Sequence, residues 1–156
     1  MDLGPVTPTA EYSLQELPGG TFLAEYRRRL VRRDAPLPVI VGGDKIVLQL
    51  ACGDRTLLAT SYDYFDGCEH WLYLIGDDGR PVDQLRMPDA FGFFRDIEVM
   101  SPDAISFGCF GTNERWSIVV SRTGFWSYAP SVLLKRPVRF LLSKRYLSES
   151  RTKESP

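Results

Sequence analysis

The sequence predicts an α+β fold: an antiparallel β-meander of about seven or eight short strands, forming a sheet, sandwich or half-barrel, with one N-terminal helix packed on it. Two observations carry this. From Ile46 to Tyr128 short aromatic-rich segments with period-two patterning are each ended by Gly, Asp, Asn or Pro, as half-buried strands joined by turns are. Before that, Thr21–Arg33 holds neither Gly nor Pro and spaces Phe22, Leu23, Tyr26 and Leu30 along one helical face.

Taken in order, residues 1–20 contain Pro5, Pro8, Pro18, Gly19 and Gly20 and read as an irregular lead-in. Thr21 is placed to cap the helix that follows. Arg27, Arg28, Arg29, Arg32 and Arg33 cover its other side, several in the last turns where cations complement the helix dipole. Asp34, Pro36 and Pro38 stop it. Val39–Val41 then reads as a short strand, Gly42-Gly43-Asp44 as a turn, and Lys45–Cys52 and Thr56–Tyr64 as strands joined at Gly53-Asp54.

Asp66-Gly67 turns the chain into Trp71–Ile75, and Gly76-Asp77-Asp78-Gly79 is the clearest hairpin loop. Val82–Met87, Phe91–Phe94, Arg95–Met100, Ala104–Phe110, Arg115–Ser121 and Phe125–Tyr128 continue the array, with breaks at Pro88, Ser101-Pro102-Asp103, Gly111-Thr112-Asn113 and Gly124. In Ser131–Leu147 apolar residues alternate with Lys and Arg, and Pro137 interrupts any single helix. Residues 148–156 are polar and read as a disordered tail. The domain is thus expected over residues 21–147. No repeat signature of a propeller or solenoid is evident.

A chain of 156 residues buries about 70% of its unfolded surface and builds a core without metal or disulfide staples. No uncharged run reaches the roughly 18–20 residues a membrane-crossing helix needs. Met1–Ala10 lacks a basic start and an apolar stretch, so it does not read as a secretory signal. Three cysteines, Cys52, Cys68 and Cys109, follow no disulfide spacing. Reduced thiols and a cytoplasmic location are the expectation.

The net charge of −1 conceals an asymmetry. Residues 1–35 hold five acids and five bases, residues 36–114 thirteen acids and five bases, and residues 115–156 two acids and nine bases. The basic end is expected to fold back on the acidic middle. Arg27–Arg33 and the C-terminal Lys135, Arg136, Arg139, Lys144 and Arg145 offer phosphate contacts only if the domain as a whole is basic. A pI near 5.9 argues against nucleic acid as the partner.

Catalytic signatures are weak. His70 is the one histidine. Cys68, two residues away, would share its strand face, but the segment reads as a turn into a strand, so a structural pair is favoured over a nucleophile. Cys52, Cys68, His70 and Cys109 lack the close ligand pairs of zinc sites, and Asp63, Asp66 and Glu69 match no calcium loop. No metal and no cofactor is expected. Gly42-Gly43-Asp44-Lys45 lacks the spacing of a phosphate loop.

The segment that stands out is Tyr62–Trp71, where aromatics and acids alternate around a turn. Aromatics supply rigid contact area, and acids steer a basic partner. Tyr62, Asp63, Tyr64, Asp66, Glu69 and Trp71, with Asp77 and Asp78 of the next loop, are the expected partner-binding residues. The function this favours is a non-enzymatic, protein-binding module, most concretely a cytosolic immunity or inhibitor protein that neutralises a toxin or similar partner. Two other readings compete with it. One is a ligand-binding or enzymatic β-barrel with Tyr62, Tyr64, Tyr73, Asp96 and Glu98 as polar anchors. The other is an assembly subunit of a phage or secretion system.

Overall fold

A computed structural model describes residues 7–19, 26–64, 67–87, 94–127 and 144–155. Every regular element in them is a strand: β1 (Thr7–Pro8), β2 (Tyr12–Glu16), β3 (Arg27–Arg32), β4 (Ala35–Gly42), β5 (Lys45–Cys52), β6 (Arg55–Asp63), β7 (Cys68–Ile75), β8 (Pro81–Met87), β9 (Phe94–Ser101), β10 (Ala104–Cys109), β11 (Glu114–Phe125) and β12 (Arg145–Lys153). They form three antiparallel sheets with the orders β2-β3-β4, β1-β5-β6-β7-β8 and β12-β11-β10-β9. Apart from β1, each sheet is a consecutive stretch of chain.

The sheets stack in chain order. On one face of the central sheet, Leu57, Ala59, Leu72, Leu74, Leu85 and Met87 pack with Ile105, Phe107, Trp116, Ile118 and Leu147 of the C-terminal sheet. On the other face, Leu58, Trp71, Tyr73 and Ile75 pack with Tyr12, Leu30, Val39 and Val41 of the N-terminal sheet. The central sheet is therefore covered on both sides. Strand β7, CEHWLYLI, lies at its heart and is buried at all eight positions. Strands covered on both faces lose the in–out alternation of a half-exposed sheet.

Among the described residues the class is all-β rather than α+β, because the residues expected to end an N-terminal helix are strand β3. Leu30 is buried as expected, but against strands β2 and β4 and the central sheet rather than as one rung of a helical stripe. Phe22 and Leu23 lie outside the described residues. The turn that makes β3 and β4 a hairpin is Arg33-Asp34, with both residues at positive φ, +48° and +66°. Two left-handed residues in succession match the twist of a hairpin. Arg-Asp carries little of the Asn-Gly signal that announces such turns, whereas the apolar spacing of Phe22, Leu23, Tyr26 and Leu30 is helical. Pro36 and Pro38 lie within β4, which pairs only with β3 among the described residues. An edge strand tolerates proline because half its N–H groups face away from the ladder.

Two further corrections follow. The irregular lead-in contains strand β2, paired to β3 from Tyr12↔Arg32 to Glu16↔Arg28. The expected disordered tail forms most of β12, paired to β11 through Lys153↔Glu114. Its polarity has a structural cause: β12 is an edge strand, and of Leu147–Lys153 only Leu147 is buried. Strands β5–β11 follow the expected meander. No helix among the described residues is long and apolar enough to cross a membrane.

Candidate functional site

At the end of the central sheet where β6 turns into β7, three tyrosines interlock. Tyr62 leaves β6 directly opposite Glu69 of β7. Its ring meets Tyr26 edge-on at 6.1 Å and Tyr64 edge-on at 5.2 Å. Such T-shaped contacts fix ring orientation beyond what burial alone does. Tyr64 remains 42% exposed, yet its hydroxyl is anchored, donating to Glu69 Oε2 at 2.6 Å.

Glu69 is the polar floor of this corner. It is only 3% exposed, and Arg86 Nε donates to its Oε1 at 2.6 Å, with the guanidinium Nη2 also on that oxygen. A buried carboxylate is tolerated only when paired and hydrogen-bonded, and here a guanidinium and a phenol do both. Beside it, the Asp63 carboxylate accepts a hydrogen bond from Lys45 Nζ across the β5–β6 hairpin. That bond holds the ammonium above the ordinary lysine range.

The expected partner-binding residues do not form one surface. Tyr62, Asp63 and Tyr64 are brought together, with Tyr62 half-buried and the other two exposed. Glu69 and Trp71 are buried; the first supports the corner and the second is core. Asp66 lies outside the described residues. Asp77 and Asp78 are exposed, but they crown the far end of β7, roughly 25 Å of extended chain from Glu69 at the strand rise of about 3.3 Å per residue. There Asp77 supplies its backbone carbonyl to Arg32 Nη1 at 2.6 Å, and Asp78 Oδ1 accepts from the Arg80 N–H at 3.0 Å.

Sequence reasoning missed Tyr26, assigned to the helical stripe, and Arg86 and Lys45, whose roles depend on cross-strand register. The polar anchors of the barrel alternative are dispersed, with only Tyr62 and Tyr64 in contact. Tyr73 is core, its hydroxyl accepting from the Gly42 N–H at 2.7 Å, whereas Asp96 and Glu98 sit on the exposed edge of another sheet. Among the described residues no sheet closes into a barrel.

Cys68 and His70 do meet, with Sγ 3.2 Å from Nε2. Both are buried, and the imidazole stacks on Phe94 at 4.3 Å, which in turn packs on Phe107. Activation of a thiol requires a lowered pKa and access. Burial instead pushes Cys52, Cys68 and Cys109 up, Cys109 from 9.0 to about 12. Thiol reagents at pH 8 are expected to leave all three unmodified in the folded protein and to count three on denaturation. A thiol whose folded pKa is raised stabilises the fold below its unfolded pKa, and that stability is lost as pH rises. Denaturation midpoints should accordingly fall as pH climbs from about 9 toward 12, and less steeply in Cys109→Ala. A native thiol that reacts within minutes at pH 8 would contradict the burial.

Among the described residues no group of three His, Cys, Asp or Glu is arranged to hold a metal ion. The basic C-terminal stretch does reach the acidic middle: Arg115 pairs with Glu98 at 3.3 Å and Arg151 with Glu114 at 3.2 Å. Lys135, Arg136 and Arg139 lie outside the described residues. No protein-family model, curated protein or solved structure matches the chain.

Proposed function

We propose that this chain is a non-enzymatic protein-binding module that takes a basic partner on the corner formed by Tyr26, Tyr62, Tyr64 and Asp63. The observation that carries the reading is Tyr64, a large ring left 42% exposed while its hydroxyl is bonded to Glu69 and its ring meets Tyr62, which in turn packs on Tyr26. A ring held in place in the free protein loses little conformational freedom on binding, which is the physical basis of tyrosine and tryptophan as interface anchors. Asp63 beside it adds a carboxylate at the rim, where charge chiefly steers encounter.

The concrete form of this proposal is a cytosolic immunity or inhibitor protein that covers a basic active site of a toxin or nuclease. A reducing compartment suits three free cysteines. The test is a photo-crosslinking amino acid placed at Tyr64 in the native host, with the same group at Thr152 of the C-terminal sheet as control. One crosslinked species is expected from position 64, lost when Asp63→Lys is added and not formed from position 152. Equal crosslinking from both positions, or none at 64, would rule out the corner as the binding surface.

A further inference from the structure

Strand β9 is the outer edge of the C-terminal sheet and, among the described residues, pairs only with β10. Five of its eight residues are exposed, including Ile97 at 39%, Val99 at 49% and Met100 at 62%. On an edge strand the backbone N–H and C=O groups that point away from the sheet are a template for another strand. Strand addition at such edges is a recurrent mode of peptide recognition, with main-chain hydrogen bonds giving affinity and alternate side chains giving specificity. Two register shifts bend the β9–β10 pairing, one beside Asp96, which sits at φ +50°. Between them Glu98 and Val99 face Ser106 and Ile105 in regular register.

Charge distinguishes among the possible occupants. The side chains of Asp96 and Glu98 are 65% and 62% exposed, although each meets an arginine of its own sheet, Arg95 and Arg115. In the regular part of the strand, a second copy added antiparallel about Glu98 sets that residue against itself, and Asp96, beside the register shift, adds a second acid to the same edge. Like charges directly opposite destabilise a strand pair. An extended segment with Lys or Arg at alternate positions and apolar residues between them meets both requirements, placing cations against the two acids and apolar side chains beside Ile97 and Val99.

We infer that β9 accepts, by strand addition, an extended basic segment of a different protein. The surface belongs to another layer than the tyrosine corner and stands independently of it. The probe is a fluorescein-labelled eight-residue peptide of alternating lysine and valine, titrated with the full chain and followed by anisotropy. Saturable binding is expected, weakened by added salt and reduced about tenfold or more by Glu98→Lys and by Ile97→Lys. Both positions are exposed, and circular dichroism verifies that the variants fold. Tyr64→Ala is expected to bind the peptide as the parent does.

Replacing the peptide's lysines with glutamate, or one central valine with proline, is expected to abolish binding, since the first removes the charge match and the second a strand hydrogen bond. The inference is overturned if the lysine peptide does not bind, if the proline peptide binds equally, or if both β9 variants bind like the parent. It is also overturned if light scattering shows a dimer that Ile97→Lys dissociates, because the edge is then taken by a second copy.

Discussion

Replacing Gly42 with alanine is expected to destabilise the protein by about 3 kcal/mol, the upper range for overpacking a filled core. Gly42 ends β4 where the N-terminal sheet passes into the central one. Its backbone is held from both sides: the N–H donates to the Tyr73 hydroxyl at 2.7 Å, and the carbonyl accepts from Thr60 Oγ1 at 2.6 Å. A Cβ built there falls 2.4 Å from Trp71 Cε2 and 2.7 Å from Cδ2. These are atoms of the ring fusion, not the free end of a flexible chain, and the indole is itself buried between two sheets. Neither side can yield cheaply in an interior packed to crystal-like density.

Urea denaturation followed by tryptophan fluorescence measures the loss. Pairing Gly42→Ala with Trp71→Phe makes space for the methyl group, so the double variant should be more stable than the two single losses added together. A Gly42→Ala protein as stable as the parent would mean that the N-terminal sheet does not lie on Trp71.

Asp83→Ala is expected to cost at least as much, about 3–4 kcal/mol, since hydrogen bonds to charged groups contribute about 1.5–3 kcal/mol each and orphaned buried donors cost about as much. Asp83 is completely buried on β8, the edge of the central sheet. Its Oδ2 accepts from the backbone N–H groups of Tyr146 at 2.8 Å and Leu147 at 2.9 Å, while Oδ1 accepts from Gln84 N–H at 2.8 Å. Tyr146 and Leu147 begin β12, the edge of the C-terminal sheet. One carboxylate thus joins two sheet edges that, among the described residues, have no ladder between them, and it occupies a core position in line with Leu85 and Met87.

Truncation removes the carboxylate acceptor of three backbone N–H groups, those of Tyr146, Leu147 and Gln84. Asp83→Asn keeps one acceptor and turns an amide N–H₂ toward a donor, so an intermediate loss is expected. Native-state amide exchange distinguishes this role from a general one: Leu147 N–H should lose protection in Asp83→Ala while Leu58 N–H follows the global stability alone. Unchanged protection at Leu147 would disprove the clasp.

The candidate site shows how far residue chemistry reaches without register. The segment Tyr62–Trp71 was legible as unusual, and three of its residues, Tyr62, Asp63 and Tyr64, do share one corner with Tyr26. Glu69 and Trp71 carry the same chemistry in the sequence but are buried, Glu69 against Tyr64 and Arg86 and Trp71 under the N-terminal sheet. Nothing local distinguishes an exposed aromatic or acid from one that another layer covers. Arg86 became a partner of Glu69 only because β8 pairs with β7. Asp83 carried a legible signal, an acid at an inward position of an apolar strand, and its purpose became evident only with β12 alongside.

The sequence by itself determined the meander. Gly53, Gly79 and Gly111 all sit at positive φ in the turns expected of them, and strands β5–β11 fall between such turns. It also determined that Leu30 is core. The tertiary structure alone decided that Arg27–Arg32 is a strand and that the polar C-terminal stretch is ordered. Both follow from pairing: β3 is held between β2 and β4, and β12 by β11. Helical spacing is a local property that several conformations can satisfy, whereas a strand exists only through its neighbours. The stacking of three sheets in chain order likewise lies beyond local pattern, because the central strands face apolar layers on both sides and the alternation that would name a face is lost.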